Sequence, residues 1–406
     1  MTDNIFLNTS LKKKRFSLWM VLLCIFVTDA MSFPVSQNVK VLFISFIGLM
    51  ALLQIILDKT YKPTAFENQI VVIYILLILF VQFIHFDFSL SYEYKIFQLL
   101  IGLLIARSLS IPTFGYRYVQ VMKVVVILSI LIWLLLATGI PFWQYFPESG
   151  EGDYHTMFFY VVMKDLPDKI RNFGPFYEPG IYQIYLNVAL AFYLFSVKKY
   201  FSKFTLYILI VGIISTFSTA GYFCMSLLLI AYKYEESNKL SIKNAFILLF
   251  FLTAILLLLS NPAIDELVFG KLSIENSSYK SFAIRLNDII YYFDVWKSNP
   301  IFGAGFSSAY DTVMDMHFFG NFKYGGNTST TMRELASYGI IVGGISIIAI
   351  FIFAKRLAKK RLSKFIVFAV LLIMINCEGM VLSLFLNTII CFGLSTNNHK
   401  LSSNSA

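Results

Sequence analysis

Three arginines lie in the two longest polar connections of the sequence, each close to the predicted start of a helix: Arg171, Arg285 and Arg333. A guanidinium is always charged, binds phosphate oxygens in pairs and tolerates partial burial. The first turn of a helix attracts anions as well, because its N–H groups lack partners within the helix. Together these features favour an anionic ligand that carries phosphate groups.

The first of these arginines begins the segment Arg171-Asn-Phe-Gly-Pro-Phe-Tyr-Glu-Pro-Gly180. Pro179 suits the first turn of the next helix, and the two glycines allow tight backbone turns. The segment therefore predicts that Arg171 and Glu178 sit directly above a helix start, where Glu178 could act as a base. The alternative is a plain helix start with an exposed arginine and no ligand.

The second arginine lies in a stretch near 281–297 whose apolar residues recur at helical spacing. Arg285, Asp288 and Tyr292 fall together on the opposite face of that predicted helix. This pattern predicts an amphipathic helix that lies on a membrane surface.

A glycine-rich turn follows, and its Gly303 and Gly305 could let backbone N–H groups cradle a phosphate, although such a pair is weak evidence alone. His317 lies further along the same connection and is a second candidate base, although a lone histidine in a loop is more often simply solvated. Asn327 and Arg333 precede the next helix and are candidates for holding a substrate.

Aromatic residues are interleaved with the charged ones, and Tyr177 and Tyr292 are candidates for stacking on sugar rings. Neither connection has a DxD-like pair or a His/Cys cluster at metal-ligand spacing, so we expect chemistry without a metal or cofactor. The four cysteines lie in or beside apolar runs, where buried, unpaired thiols are expected: Cys24, Cys224, Cys377 and Cys391.

Composition identifies the solvent that surrounds most of the chain. The chain has 406 residues, of which 58% are hydrophobic and 14% charged, with a mean hydropathy of +0.73. Soluble domains carry about 25% charged residues. Lipid must therefore be the solvent for most of the surface. The net charge of +10 comes from cations that flank apolar runs, which argues against nucleic acid as a partner.

The apolar runs predict an all-α polytopic membrane protein, one integral domain over 1–406 with about twelve spans (ten to twelve). Two tight breaks follow residues 217 and 376, so the helices on either side of each break could instead form one kinked element. The predicted spans lie near 16–34, 38–57, 69–86, 95–108, 119–140, 180–197, 204–217, 219–233, 244–260, 336–354, 364–376 and 378–395.

Charge predicts the orientation of these spans. Alternate connections are rich in lysine and arginine, which marks the cytoplasmic side and leaves both termini there. The other side holds the connections 141–179 and 261–335, which together contain 14 acidic and 9 basic residues, a net charge of −5. Connections of this length in a compact fold are usually functional. We therefore expect both to fold over the outer face.

The spans themselves are expected to hold almost no ionisable group. Asp29, Arg107 and Glu378 fall at predicted span ends, and the remaining polar interior consists of amides. An ion-coupled transporter normally needs an acid or base within the membrane. The sequence therefore disfavours transport relative to chemistry in the outer connections.

The order of these motifs over roughly residues 170–345 resembles the O-antigen and capsular polysaccharide polymerases (Wzy type) of the O-antigen polymerase and ligase superfamily. The resemblance rests on Arg171-x-x-Gly-x-Phe-x-Glu-Pro-Gly180, on Ser218-Thr-Ala-Gly-Tyr222, and on Arg285…Asn299-Pro-x-x-Gly-x-Gly-Phe306…Asn327…Glu334-Leu-x-x-Tyr-Gly-Ile340. Many relatives place a histidine directly before the position of Asn327, where this chain has Gly326. That departure leaves the base open between Glu178 and His317.

The resemblance implies a metal-independent glycosyltransferase of the GT-C class in the bacterial inner membrane, with its large loops in the periplasm. It would move the growing glycan from undecaprenyl diphosphate to the non-reducing end of a new lipid-linked repeat unit. Arg171 and Arg285 would neutralise the leaving diphosphate, and Arg333 would help to position a lipid headgroup. The partners implied are lipid-linked oligosaccharides as donor and acceptor, membrane lipid and a chain-length regulator protein.

Two alternatives stay open. An O-antigen ligase would use the same donor but transfer the polymer to lipid A-core. A flippase for lipid-linked oligosaccharides, or another transporter, would need a polar cavity through the spans, whereas the cations here cluster at the ends of connections.

Overall fold

A computed structural model describes residues 11–28, 36–57, 65–149, 154–157, 159–163, 171–237, 279–319 and 328–395. Almost all of these residues are helical. The helices are α1 (Leu11–Thr28), α2 (Gln37–Leu57), α3 (Ala65–His85), α4 (Leu90–Ser108), α5 (Ile111–Ala137), α6 (Pro179–Phe192), α7 (Lys203–Ser215), α8 (Thr219–Ser237), α9 (Tyr279–Ser298), α10 (Phe306–Phe319), α11 (Thr330–Leu357), α12 (Arg361–Ile375) and α13 (Leu384–Leu394). A π-turn, Tyr193–Val197, and a 3-10 turn, Lys198–Tyr200, continue α6.

A small antiparallel sheet follows α5 in the first long connection. Its strands are β1 (Glu148–Ser149), β2 (Tyr154–Met157) and β3 (Tyr160–Met163), in the order β1-β2-β3 with Tyr154 opposite Met163. Met157, Tyr160 and Val162 form a small cluster with Leu136 near the end of α5. The sheet thereby rests on the end of that helix.

The chain is a membrane protein by the length and composition of its helices. Within the described residues, four helical segments are long and apolar enough to span a bilayer: Asn38–Leu57, Ile111–Ala137, Pro179–Tyr200 and Thr330–Leu357. Large apolar side chains also project outward from the helices, as with Leu42 at 68% exposed and Ile56 at 71%. Water would penalise such a surface, and lipid would not.

Helices occupy eleven of the twelve predicted span positions, and the twelfth, 244–260, lies outside the described residues. The start of α13 differs from the prediction, at Leu384 rather than at 378. Residues 376–383 form turns instead, and the Ser383 hydroxyl accepts a hydrogen bond from the Leu386 N–H at the helix start. Helix α5 starts earlier than predicted because the Ser110 side chain caps it and a proline stands in its first turn.

Both tight breaks separate distinct helices. Thr216 to Ser218 form a turn between α7 and α8, in which Phe217 has a φ of 47°. After the second break, α12 packs on α8 and α11, whereas α13 packs on α4 and α11. Neither pair is one kinked element.

Contacts between connections define two ends of the bundle. At one end Asp87 binds Ser307, Asn172 binds Ser215, and Arg285 pairs with Glu378; we call this the site end. At the opposite end, the basic end, Arg117 binds Ser17 and Lys360 binds the carbonyl of Tyr234. Connections predicted from charge to share a side of the membrane thus contact one another.

Helix α9 has the predicted amphipathic pattern. Asp288 and Tyr292 are fully buried against the rest of the protein. Leu286, Ile290 and Phe293 lie on the other face and are 44 to 46% exposed. These three apolar side chains therefore point away from the rest of the described protein, as expected beside lipid, whereas Val295 packs inward with Tyr292.

Candidate active site

Arg285 of α9 stands between two glutamates at the site end. Its Nη2 donates to Glu378 Oε1 at 2.6 Å and reaches Glu178 Oε2 at 3.4 Å. The side chain of Glu378 is 5% exposed, that of Arg285 27% and that of Glu178 45%. The three residues come from three different connections, so the folded chain is required to bring them together.

The charges in this cluster do not cancel, because two carboxylates face one guanidinium. Burial of Arg285 disfavours its charge, but Glu378 and then Glu178 outweigh burial, so the pKa of Arg285 is raised above its usual value. The guanidinium therefore stays charged at any physiological pH, and the cluster keeps one excess negative charge while both glutamates are ionised.

Glu178 is the N-cap residue of α6, yet its side chain accepts no capping hydrogen bond there. The carboxylate instead turns toward Arg285. Tyr177, the residue before it, lies close enough to raise the pKa of Arg285 and packs against the main core. Tyr177 and Glu178, two of the three predicted site residues of this segment, thus stand beside Arg285.

Gly180, in the first turn of α6, makes room for the cluster. A Cβ at this position would overlap Oε1 of Glu378 and would lie 3.5 Å from Nη2 of Arg285. The sequence suggested a glycine needed for a tight turn. The structure shows that close approach of the carboxylate to the helix backbone is the constraint.

The turn that carries Glu378 is fastened to the start of α11. Thr330 Oγ1 donates to the Glu378 carbonyl and accepts from the Met380 N–H, both at 2.8 Å. Asn376 Oδ1 accepts from the Ser329 hydroxyl and the Thr331 N–H, both at 3.0 Å. These four bonds fix the backbone on both sides of Glu378.

Sequence reasoning did not include Glu378 among the site residues. It falls in the break Asn376-Cys-Glu-Gly379, which was assigned to the boundary of two spans. An acidic residue in a short break between apolar runs, on the side of the long loops, was the available signal.

Arg171 lies at the end of α7. Its Nε donates to the Thr216 carbonyl at 3.1 Å and its Nη2 to the Phe217 carbonyl at 3.4 Å. A cation is favourable at the C-terminus of a helix, where the carbonyls are unpaired. These contacts tie Arg171 to the α7–α8 turn, whereas Arg285 is tied to the two glutamates.

Asn172 anchors the segment between Arg171 and α6. Its side-chain amide donates to the hydroxyls of Ser215 at 2.9 Å and Ser129 at 3.3 Å, and its backbone N–H donates to the Ser215 carbonyl at 2.8 Å. Its Oδ1 also accepts from the N–H of Gly174, whose φ is +52°. Much of this motif therefore packs the loop onto α5 and α7, which holds Glu178 in place.

The glycine turn between α9 and α10 uses its N–H groups inside the protein. Gly303 N donates to the Asn299 carbonyl at 2.9 Å, and Gly305 N to the Ser337 carbonyl at 3.1 Å. The next amides bind Tyr92 Oη, at 3.2 Å, and Asp87 Oδ2, at 2.8 Å. A carboxylate of the chain itself thus occupies the start of α10, where the sequence suggested a phosphate.

Arg333 lies inside the second connection, 6% exposed, with its guanidinium carbon 4.4 Å from the ring centre of Phe306 and 5.0 Å from that of Tyr310. Tyr292 is fully buried nearby; burial raises its pKa to about 12, although Arg333 acts in the opposite direction. Among the described residues, Arg333 Nε and Tyr292 Oη find no hydrogen-bond partner. These two predicted substrate ligands lie together but beneath the surface.

His317, on α10, pairs with Asp288 of α9. Its Nε2 lies 2.6 Å from Asp288 Oδ1, and the other carboxylate oxygen accepts from Thr328 N and Oγ1 at 2.9 and 2.7 Å. Burial raises the pKa of Asp288, and the bonds from Thr328 and His317 oppose that effect. His317 is 1% exposed, so it does not face solvent in this conformation. Asn327 and Gly326 lie outside the described residues.

One expectation about the spans is wrong. Lys95 of α4 and Glu334 of α11 form an ion pair whose side chains are 0% and 5% exposed. Sequence reasoning placed Lys95 at a span boundary and Glu334 in the outer connection, whereas α4 and α11 both start earlier than predicted and bury them between helices. Within the described residues, no group of three or more His, Cys, Asp or Glu side chains could hold a metal ion.

No protein-family model, curated protein or solved structure matches this chain.

Proposed function

We propose that this protein is a membrane glycosyltransferase that polymerises a surface polysaccharide from lipid-linked repeat units. The observation that carries the proposal is Arg285, held by one buried and one exposed carboxylate at the site end of the helices. A fixed cation beside an accessible carboxylate matches what transfer from a sugar diphosphate needs: stabilisation of the leaving group and a base.

The guanidinium of Arg285 has donors left over for a diphosphate. Both of its bonds come from Nη2, and Nε and Nη1 make no hydrogen bond with the other described residues. A guanidinium has five N–H donors in a planar fork, which suits two phosphate oxygens at once. Glu378, buried at 2.6 Å, would keep the fork oriented while the ligand binds.

Glu178 is the base in this scheme. Its bond to Arg285 is long, at 3.4 Å, and its side chain is 45% exposed, so an arriving diphosphate can displace it. Phosphate on Arg285 would then free the carboxylate to accept a proton.

The reaction is an exchange of one C–O bond for another. A hydroxyl of the acceptor sugar attacks the anomeric carbon of the donor glycan and gives its proton to Glu178. The bond from that carbon to the diphosphate breaks, and the leaving oxygen keeps the electron pair next to Arg285. Arg171 remains a proposed second phosphate ligand, a role for which it would have to leave the carbonyls of Thr216 and Phe217.

The wider setting follows the resemblance in motif order. We propose about twelve spans in a GT-C-type arrangement in a bacterial inner membrane, with both termini cytoplasmic and the site end periplasmic. Donor and acceptor would be undecaprenyl-diphosphate-linked oligosaccharides, and a chain-length regulator would be a further partner.

The lipopolysaccharide ladder of a strain that lacks this protein tests the proposal. A polymerase predicts a single repeat unit on the core. A ligase predicts a core without repeats while polymer accumulates on the carrier lipid. An unchanged ladder and unchanged capsule would contradict both assignments.

Transport of a lipid-linked oligosaccharide is the second candidate, and the buried pair Lys95–Glu334 favours keeping it. Charges between helices are costly and often mark ion coupling or a substrate path. A transporter would move lipid-linked repeats across vesicles without lengthening them. Reconstituted protein that flips such lipids but leaves their chain length unchanged would favour this candidate.

A further inference from the structure

The ion pair between Lys95 and Glu334 joins two helices that are far apart in sequence, α4 and α11. Lys95 is fully buried, and its Nζ also lies 5.6 Å from the ring centre of Tyr338. Burying two charges is unfavourable unless their geometry is well satisfied. Such a pair is better explained by a need for one defined arrangement than by stability alone.

The neighbours of Lys95 indicate which segment the ion pair positions. Its Nζ reaches the carbonyl of Val381 at 3.5 Å. One turn further along α4, Gln98 Nε2 donates to the carbonyl of Leu382 at 2.8 Å and Gln98 Oε1 accepts from Asn387 at 3.0 Å. Helix α4 thus holds the end of the 376–383 turn that leads into α13.

The same turn is held at its other end by α11, through Thr330, Ser329 and Thr331. Glu334 stands one helical turn after Thr330 on that helix. The ion pair therefore joins α4 and α11, the two helices that bind opposite ends of the 376–383 turn. Glu378, the buried partner of Arg285, lies in the part of the turn that α11 holds, and α4 holds the residues that follow it.

We infer that Lys95 and Glu334 are positioning residues, which lock α4 to α11 so that the 376–383 turn presents Glu378 to Arg285. The inference rests on the proposed function for its catalytic consequence, but its structural part stands without it. Loss of the pair should loosen the turn locally while the remaining helix packing persists.

Cys377 provides a direct probe of the turn, because it neighbours Glu378 and is partly exposed, whereas Cys24, Cys224 and Cys391 are buried. The test variant is Lys95→Gln with Glu334→Gln, which removes both charges and leaves no lone buried charge. The matched control is Lys198→Gln with Glu236→Gln, which removes an ion pair whose side chains are 44% and 43% exposed at the basic end.

The experiment measures the rate at which a maleimide alkylates each cysteine of the full-length protein in detergent, by mass spectrometry. We expect Cys377 to react about tenfold faster in the test variant, as for local opening of one segment. The other three cysteines should keep their rates, and the control should match the wild type. Lys95→Arg, which keeps the charge, should restore much of the protection.

Two outcomes would overturn the inference: an unchanged Cys377 rate in the test variant, or an equal increase at all four cysteines, which would make the pair a general stabiliser. Chain lengthening measured on the same preparations separates the two proposals. A faster Cys377 with no lengthening activity even in the wild type would reject the proposed function and keep the positioning role.

Discussion

Helix α9 contributes to two clusters that contain similar residue types but differ in exposure. Arg285 pairs with Glu378 and with Glu178, which is 45% exposed. One turn later, Asp288 pairs with His317, and both side chains are at most 1% exposed. A carboxylate and a basic group meet in each case, yet the first cluster is partly exposed and the second is buried. We therefore propose that the Arg285 cluster carries the chemistry and that the Asp288–His317 pair holds the second connection together.

Among the changes proposed for these two clusters, substitution of Arg285 should reduce activity the most. Arg285→Ala removes the cation that we propose stabilises the leaving diphosphate, and it removes the ion pair with Glu378. We expect chain lengthening to fall by about 100-fold or more, as when an enzyme loses a donor to a developing oxyanion. Arg117→Ala, at the basic end, is the control and should keep normal chains. Long chains from Arg285→Ala would reject the diphosphate role.

Glu178→Gln and His317→Asn should separate the two clusters. The first should reduce the rate of transfer by about 100-fold with an unchanged melting temperature, because the proposed base is lost. The second should cost about 1–3 kcal/mol of stability by leaving Asp288 without its partner, with little change in rate per folded molecule. Rate assays and thermal unfolding on the same samples measure both effects. The opposite pattern would exchange the roles of the clusters.

Gly180→Ala tests whether close packing positions the first cluster. The new Cβ would overlap Glu378 Oε1, so the ion pair with Arg285 must shift. We expect activity to fall by about tenfold, the scale of a small misplacement in an active site. Gly344→Ala is the matched control, since its Cβ would meet nothing closer than 3.7 Å. Equal activity in the two variants would show that the cluster adapts freely.

The smallest effect is expected at Asp87, which binds the start of α10. Burial acts to raise the pKa of Asp87, but hydrogen bonds from Ser307 and Ser89 outweigh burial and hold it below the ordinary value of 3.8. A lowered folded-state pKa means that this stabilisation is complete above that value and is lost as the pH falls through the folded-state pKa. Asp87→Asn should therefore cost about 0.5–2 kcal/mol at neutral pH, as for loss of a helix cap. Thermal unfolding that is identical in the two proteins would contradict this role.

Sequence periodicity predicted the helices well, because apolar runs of span length have few alternatives in lipid. It also predicted a helix at α9. The motifs of the resemblance, rather than periodicity, grouped Arg285 with Arg171, Glu178 and His317, and their shared role stays a prediction. The place of Glu378 in the site could not be predicted, since its ion pair with Arg285 joins residues far apart in the chain and depends on the turn at 376–383.

The failures have a common physical origin. Glycines at 303 and 305 predicted free N–H groups, but the partners of that turn come from α4, α11 and the α3–α4 connection. Lys95 was predicted at a span start and Glu334 in the outer connection, because their ion pair joins residues far apart in the chain and leaves no local pattern. Local sequence pattern predicts the helices. The hydrogen-bond partners of buried polar groups depend on how those helices pack against one another.

The most direct test of the central claim is polymerisation by the purified protein in lipid vesicles, supplied only with undecaprenyl-diphosphate-linked repeat units from its own organism. The account predicts that the wild type converts single repeats into longer chains and releases undecaprenyl diphosphate, and that Arg285→Ala does neither. Vesicles in which the wild type leaves every repeat at its original length, or in which Arg285→Ala lengthens chains as fast as the wild type, would contradict it.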